Sequence, residues 1–221
     1  CPGHEASPWR VWMAADCCYH LAHAALWLAF HGIWRLRVEG REHVPRQGGA
    51  ILAPNHISNV DPPAVGAAAP RPVYFMAKEE LYQMPLLGRI LPRLHAFPVR
   101  RGTVDRAALR RAEELLRAGE LVVIFPEGRE SETGQLQAFQ PGTALLALRA
   151  GVPVVPVWIE GTDGVMPYGT MLPRWSRRPV RVRFGPPLRL DDLAAAADRR
   201  QALADGTARI RAAVAALAEG E

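Results

Sequence analysis

The chain has 221 residues, of which 49% are hydrophobic and 22% are charged. This length fits one globular domain with an appendage, because single hydrophobic cores stop growing at about 250 residues. No stretch of 18 residues lacks both charged residues and histidine, so the composition excludes a polytopic membrane protein as well as a disordered or fibrous one. The basic residues exceed the acidic ones by five and are nearly all arginine, which favours acidic ligands or an anionic surface as partners. An arginine-rich genomic composition explains most of them equally well.

The three cysteines, Cys1, Cys17 and Cys18, all lie within the first 18 residues and form no C-x-x-C pair. The sequence therefore predicts neither a disulfide framework nor a zinc site. We expect a protein of a reducing compartment that holds no metal.

The segment 1–32 is rich in aromatic and apolar residues between Trp9 and Phe30, with interruptions at Asp16, His20 and His23. Each interruption is costly at the centre of a bilayer, whereas tryptophan and tyrosine favour its interface. We expect an N-terminal membrane-associating helical segment, with a long helix packed on its own domain as the alternative. A supporting membrane surface is predicted from the basic run Arg174, Trp175, Arg177, Arg178, Arg181 and Arg183.

From residue 33 onward, short apolar runs typical of β-strands alternate with helical patterns, which predicts an α/β fold. The predicted strands are Trp34–Val38, Ala50–Pro54, Val73–Met76, Ala96–Val99, Leu121–Phe125, Val154–Ile159 and Val180–Phe184. A helix is predicted over Val104–Arg117. We therefore expect one domain over 33–189, a mixed sheet flanked by helices, and a C-terminal helical tail over 190–221 that packs on it and is broken near Gly206.

A histidine and an aspartate flank the start of one predicted helix. His56 follows the predicted strand Ala50–Pro54, and Asp61 followed by Pro62 is typical of a helix N-cap with proline at the first helical position. A carboxylate that holds one ring nitrogen of a histidine makes the other nitrogen an effective general base. These residues alone predict either a catalytic dyad or a loop histidine beside a helix cap.

A second polar loop follows the predicted strand Leu121–Phe125. Open α/β sheets bind ligands beyond the carboxyl ends of their strands, where His56 is also expected. Gly128 lets the backbone approach a ligand closely, Arg129 can clamp an anion, and Glu127 can accept a hydrogen bond from a hydroxyl group. An ordinary turn with solvated charges is the alternative.

Two further segments carry weaker signals. Arg100 and Arg101 follow the predicted strand Ala96–Val99, where they either hold a phosphate or are simply solvated. The apolar run at residues 151–157 contains two prolines, which indicate an edge strand or strand ends. This run suits either the core or an acyl-chain wall, and we expect the core.

These four segments, taken in their order along the chain, resemble the motifs of the glycerolipid acyltransferase family, which includes lysophosphatidic acid and glycerol-phosphate acyltransferases. The N-H-x-x-x-x-D block is matched by Asn55, His56 and Asp61, and the F-P-E-G-T-R-S block by Phe125, Pro126, Glu127, Gly128 and Ser131. The G-x-L-x-x-F-K-x-G pattern is met by Gly134, Leu136, Phe139 and Gly142, and the V-P-V-x-P-V block by residues 152–157.

The resemblance implies an acyltransferase of phospholipid biosynthesis. It would move a fatty acyl group from a thioester of coenzyme A or acyl carrier protein to a hydroxyl of a lysophospholipid such as lysophosphatidic acid, with no cofactor besides that co-substrate. His56 would be the base and Asp61 would orient it. Substrate binding would involve Asn55, Arg100, Arg101, Glu127, Gly128, Arg129 and Ser131. The implied partners are a membrane lipid bilayer, at its cytoplasmic face, and a phosphate-bearing lysolipid, but no nucleic acid.

The sequence departs from the family pattern in three places. Arg100 stands where an acid usually precedes the arginine, Arg129–Glu130 replaces Thr–Arg, and Gln140 replaces a lysine. These departures concern the acceptor more than the reaction. The alternatives that remain open are acyl transfer to an amino-acid or sugar lipid, an acyl-thioesterase in which His56 activates water, and a non-catalytic lipid carrier.

Overall fold

The computed structural model describes residues 16–100, 105–170 and 172–219. Its strands are β1 (Arg37–Glu39), β2 (Ala50–Pro54), β3 (Val73–Lys78), β4 (Ala96–Val99), β5 (Leu121–Val123), β6 (Val154–Glu160) and β7 (Arg181–Phe184). They form one sheet in the order β1-β7-β6-β2-β5-β3-β4. All neighbours are parallel except β6 and β7, which are antiparallel. The predicted α/β domain with a mixed sheet is confirmed.

Helices cover both faces of this sheet. They are α1 (Asp16–Gly32), α2 (Asp61–Ala68), α3 (Glu79–Tyr82), α4 (Leu87–Ile90), α5 (Arg106–Arg117), α6 (Gly142–Ala150), α7 (Thr162–Val165), α8 (Asp191–Ala194) and α9 (Arg199–Glu219), with 3-10 turns at Arg41–His43 and Leu91–Leu94. All residues of β2 are buried. Ala50 and Leu52 pack in the core that includes α1 and α2, while Ile51 and Ala53 pack in the core that includes α5, α6 and α9.

The strand that contains the two prolines is not an edge strand, contrary to one of the two predictions for it. β6 lies between β2 and β7, and its apolar side chains are core. Pro156 is tolerated there because it faces Gly185, which lies just after the end of β7. The Gly185 N–H donates to the Pro156 carbonyl at 2.8 Å. A Cβ at position 185 would come within 2.9 Å of the Pro156 ring.

Two other local predictions are wrong for identifiable reasons. The first strand begins at Arg37 rather than Trp34, because Arg35 has a left-handed backbone with φ of 49° that interrupts the extended chain. The C-terminal tail is broken at residues 195–198, and α9 runs uninterrupted through Gly206. This glycine allows close packing, since a Cβ there would lie 3.2 Å from that of Ala144 on α6.

The described part of the N-terminal segment packs on the domain. Tyr19 and Phe30 of α1 are buried, and His23 Nε2 lies 3.1 Å from the Gly66 carbonyl oxygen of α2. No helix among the described residues is long and apolar enough to cross a membrane. Trp9 and the rest of residues 1–15 lie outside the described residues, so the membrane-associating role of segment 1–32 stays a prediction.

Candidate active site

The loop between β2 and α2 brings His56 and Asp61 into direct contact. His56 Nδ1 lies 2.9 Å from Asp61 Oδ2. His56 is 4% exposed and Asp61 is completely buried. A buried ion or hydrogen-bonded pair of this kind is strong because water does not compete for it. The predicted proximity of the two residues is therefore confirmed.

Asp61 does not cap its own helix, so that part of the sequence prediction is wrong. Val60 occupies the N-cap position, and no side chain caps α2 there. Asp61 is instead the first helical residue, and its Oδ2 also accepts the backbone N–H groups of Ile57 at 2.7 Å and Ser58 at 2.8 Å. The carboxylate thus fixes the preceding loop and the His56 ring together.

The contact with Asp61 determines which nitrogen of His56 is available for chemistry. A carboxylate accepts hydrogen bonds, so the neutral ring carries its proton on Nδ1. Nε2 then presents a lone pair, and no described residue hydrogen-bonds to it. Phe125 lies against the ring with centroids 4.1 Å apart and helps to hold its orientation. This is the arrangement of a general base.

Glu127 fixes the same loop from the segment that follows the neighbouring strand β5. Its Oε1 accepts the backbone N–H of His56 at 2.8 Å, and its Oε2 accepts that of Gln137 at 3.1 Å. Ser131 N–H donates in addition to the His56 carbonyl at 2.7 Å. Burial raises the pKa of Glu127, an effect that the two backbone hydrogen bonds oppose. The loops after β2 and β5 are thereby joined into one unit.

Two of the residues implied in substrate binding use their side chains on the protein itself. The Asn55 carboxamide pairs with the backbone of Ile159 on β6, donating to its carbonyl at 2.9 Å and accepting its N–H at 2.7 Å. The Ser131 hydroxyl donates to the Gln135 carbonyl at 2.8 Å. Both side chains hold the site loops in place, whereas Gly128 is exposed with φ of 72° at their surface.

The predicted arginines lie in different places. Arg129 is exposed, and its Nε donates to the Gln137 side-chain oxygen at 3.2 Å. Arg100 follows β4, where it pairs with Glu79 at 2.9 Å. The sheet order puts β4 three strands from β2, a distance of about 14 Å, so the structure does not bring Arg100 to the dyad. Arg101 lies outside the described residues.

Two residues beside the dyad loops were not indicated by any sequence pattern. Gln137 lies at an unspecified position of the G-x-L-x-x-F pattern, yet its N–H donates to Glu127. Arg211 of α9 donates through Nε to the Gln137 carbonyl at 3.1 Å, across 74 positions of chain. Arg129 and Arg211 therefore both contact Gln137. Only the packing of α9 shows this, since nothing local marks Arg211.

An apolar cavity of 350 Å³ lies between β4, the last strand of the sheet, and α5. Tyr74, Phe97, Val99 and Ala108 are among its lining residues, and Arg100 lies at its charged side. No group of three or more potential metal ligands occurs in the described part of the chain.

Comparison with known proteins gives concordant matches. An acyltransferase family model matches residues 35–160. A chloroplastic 1-acyl-sn-glycerol-3-phosphate acyltransferase of Arabidopsis thaliana is 30% identical over 69% of this chain and 44% of its own. The corresponding enzyme of Bacillus subtilis is 32% identical over 57% and 63%. A lyso-ornithine lipid O-acyltransferase of Pseudomonas aeruginosa is 34% identical over 74% and 60%.

A solved structure extends the match to nearly the whole chain. The crystal structure of the 1-acyl-sn-glycerophosphate acyltransferase PlsC from Thermotoga maritima superposes with a TM-score of 0.72 at 27% identity, covering 95% of this chain and 83% of that one. This chain spans about half the length of the curated relatives it matches. Because the family model covers more than half of the chain, the protein belongs to the acyltransferase family.

Proposed function

We propose that this protein transfers a fatty acyl group from an acyl thioester to the free hydroxyl of lysophosphatidic acid, a step of phospholipid biosynthesis. The observation that carries the proposal is the buried His56–Asp61 pair at the carboxyl edge of the sheet, with Nε2 of His56 unpartnered among the described residues. The relatives named as 1-acyl-sn-glycerol-3-phosphate acyltransferases support the same acceptor.

In the proposed reaction, His56 Nε2 takes the proton of the acceptor hydroxyl while the hydroxyl oxygen attacks the thioester carbonyl carbon. The C–S bond then breaks, and the leaving sulfur takes the proton from His56, so that an ester and a free thiol are formed. Asp61 stabilises the transient imidazolium. General-base assistance of this kind contributes typically about 10²–10⁴-fold in rate. The donor thiol belongs to coenzyme A or acyl carrier protein.

Glu127 and Ser131 are assigned positioning roles in this proposal. Their hydrogen bonds to the N–H and carbonyl of His56 hold its backbone from both sides. A base must lie within about 3 Å of the atom whose proton it abstracts. By holding His56 in place, Glu127 and Ser131 contribute to the rate without contacting the substrate. Gly128 leaves room for the acceptor at the exposed surface of the loop.

The acceptor phosphate is assigned to Arg129, with Arg211 beside it. Both guanidinium groups contact Gln137 and are exposed, and a guanidinium binds phosphate through two parallel hydrogen bonds. Arg101 remains a candidate for the same phosphate. Arg100 is assigned to the cavity beside β4 rather than to the acceptor phosphate, because it lines that cavity and lies away from the dyad.

The lipid acceptor requires the protein to work at a membrane surface. We place it at the cytoplasmic face of a bilayer, with segment 1–32 as the membrane-associating part. The exposed apolar side chains Leu21, Trp27 and Leu28 of α1 support this placement, since tryptophan favours the depth of the lipid headgroups.

An amino-acid lysolipid is the second candidate acceptor. Over its aligned region the lyso-ornithine lipid O-acyltransferase of Pseudomonas aeruginosa is 34% identical to this chain, against 30% and 32% for the two phosphate-lipid enzymes above. The replacement of the usual lysine by Gln140 also removes one positive charge from the site loop, and an ornithine headgroup needs less positive charge than a phosphate does.

A product assay tests the proposal. Purified full-length protein is given acyl-coenzyme A or acyl carrier protein thioesters with lysophosphatidic acid, lyso-ornithine lipid or no acceptor, and products are identified by mass spectrometry. We expect phosphatidic acid from lysophosphatidic acid, which His56→Ala abolishes and the control Arg110→Gln, on the exposed side of α5, does not. Free fatty acid released at the same rate without any acceptor would instead identify a thioesterase.

A further inference from the structure

An amphiphilic surface lies on the loop between α7 and β7. We define the 172–178 surface by its exposed side chains Leu172, Arg174, Trp175 and Arg177, together with Arg35, which contacts it. Leu172 is 81% exposed, more than any other large apolar side chain of the described residues, and Trp175 is 65% exposed. None of the three arginines forms an ion pair with a carboxylate in the described ranges.

The exposure of this surface is fixed by the loop that carries it. Ser176, between Trp175 and Arg177, is buried, and its hydroxyl donates to the Arg178 carbonyl at 3.2 Å. It packs so closely on α7 that a Cβ at Gly164 would lie 2.7 Å from its oxygen. The buried serine therefore turns the residues on both sides of it toward solvent.

Two backbone contacts join this loop to the chain that leaves α1. Trp34 Nε1 donates to the Arg174 carbonyl at 3.0 Å, and the Arg35 guanidinium donates to the Arg177 carbonyl. No acidic residue occurs between Asp163 and Asp191, so the surface combines unpaired positive charge with apolar side chains.

The predicted basic run is longer than this surface, and its last three members do not belong to it. Arg178 pairs with Asp163 at 3.2 Å. Arg181 pairs with Glu160 at 3.1 Å, while Arg183 is buried and pairs with Glu39 at 3.2 Å. Both lie on β7, where their charges are neutralised. The cationic part of the surface is therefore limited to the loop and Arg35.

The same loop adjoins the candidate active site. The Ser58 hydroxyl donates to the Met166 carbonyl at 2.7 Å, and Ser58 N–H is one of the donors to Asp61. Further along, the Tyr168 hydroxyl donates to Glu132 Oε1 at 3.1 Å, next to Ser131. A bilayer bound to this loop would therefore lie beside the loops that hold His56.

We propose that the 172–178 surface binds an anionic bilayer, with Leu172 and Trp175 inserted at the depth of the headgroups and the arginines on lipid phosphates. Tryptophan favours that depth, and guanidinium groups are attracted to an anionic leaflet. The choice of a bilayer rests on the proposed function, whose lysolipid acceptor is a membrane component. An acidic protein such as acyl carrier protein would match the arginines but leave Leu172 without a role.

Vesicle co-sedimentation of the full-length chain, without substrates, tests this assignment. The test variants are Arg174→Gln/Arg177→Gln and Leu172→Ser/Trp175→Ser, with Arg106→Gln/Arg110→Gln and Met84→Ser/Leu86→Ser as matched controls on other exposed sites. The arginine pair should lower the partition coefficient onto phosphatidylglycerol-containing vesicles about 25-fold at low salt, roughly fivefold per residue. The apolar pair should lower it at both low and high salt.

The proposal is overturned if the test variants bind these vesicles as well as their matched controls do. It is equally overturned if they lose binding to immobilised acyl carrier protein while vesicle binding is unchanged. Acyl transfer by the same preparations to a short-chain, water-soluble lysophosphatidic acid separates the two claims. Wild-type protein that binds vesicles but transfers nothing would contradict the proposed function and leave the surface assignment standing.

Discussion

Helices α2 and α5 both begin beside an aspartate that follows a strand, and they use it differently. Asp105 precedes α5, and its Oδ1 accepts the N–H groups of Ala107 and Ala108, each at 3.0 Å. The Arg100 N–H donates to Asp105 Oδ2 at 3.0 Å. This hydrogen bond and those from the two helical N–H groups lower the pKa of Asp105. Asp61 is the first residue within α2, is fully buried, and faces back to His56.

The comparison shows that an aspartate serves the helix or the preceding loop according to where the first turn begins. Before the turn, the carboxylate reaches the free N–H groups of the helix and stabilises it. Inside the turn, the side chain of Asp61 instead reaches the loop donors and the histidine ring. We expect this difference to be visible in the activity and stability of four sets of variants.

The largest effect is expected for His56→Ala, because the proposed general base has no replacement within the described loops. Acyl transfer should fall at least about 10³-fold, measured as single-turnover product formation. The melting temperature should show that the variant is folded. Turnover retained by folded His56→Ala protein would refute the dyad.

Asp61→Asn compared with Asp105→Asn separates the two uses of aspartate. The three donors at Asp61 all meet Oδ2, so one carboxamide oxygen can accept them while the charge is lost. Activity should fall by about 10²–10⁴-fold, the range of general-base assistance, because the imidazolium loses its stabilising charge. Asp105→Asn should leave activity within about twofold, because asparagine caps helices about as well as aspartate does. Equal activity in the two variants would show that Asp61 is structural only.

The arginines extend the comparison to the substrate. Arg129→Ala should raise KM for lysophosphatidic acid about 10- to 100-fold, since a charged hydrogen bond contributes about 1.5–3 kcal/mol. KM for the thioester should change little. Arg101→Ala is expected to act in the same direction, and Arg110→Ala is the control on exposed α5. An equal loss toward a phosphate-free acceptor would assign these arginines another role.

The smallest effect concerns stability and pH. Burial raises the pKa of Glu127 above its ordinary value of 4.5, so its contribution to stability is fully present below that value. It is lost as the pH rises through the raised folded value. As the pH rises from below 4.5, the free energy of unfolding should therefore fall less in the Glu127→Gln variant than in the wild type. The free energy of unfolding is measured by denaturation at each pH. Equal changes in the two proteins over that range would contradict the assignment.

Local elements were largely predictable from the sequence. The bounds of β2 and β4 match the predicted ones, because each strand is a short apolar run that is followed by a polar loop. The motif around His56 likewise indicated the dyad, since the two partners lie only five positions apart.

The contacts that hold the dyad loops were not predictable, because they join distant parts of the chain. Glu127 meets His56 across 71 positions, and Asn55 meets Ile159 across 104. Each contact depends on the order of β6, β2 and β5 in the sheet, which no local pattern specifies. The resemblance implied a substrate role for Asn55, whereas the structure pairs its carboxamide with the backbone of Ile159 on β6.

In the proposed reaction the neutral form of His56, oriented by Asp61, offers a bare Nε2 to the acceptor hydroxyl. Long-range ¹H–¹⁵N spectra of the histidine side chains test this tautomer, with the His56 signals assigned by their loss in the His56→Ala protein. We expect the neutral ring to carry its proton on Nδ1 and Asp61→Asn to weaken this preference. A neutral ring protonated on Nε2 would have no lone pair at Nε2 for the hydroxyl proton, and His56 could not then be the base in this orientation.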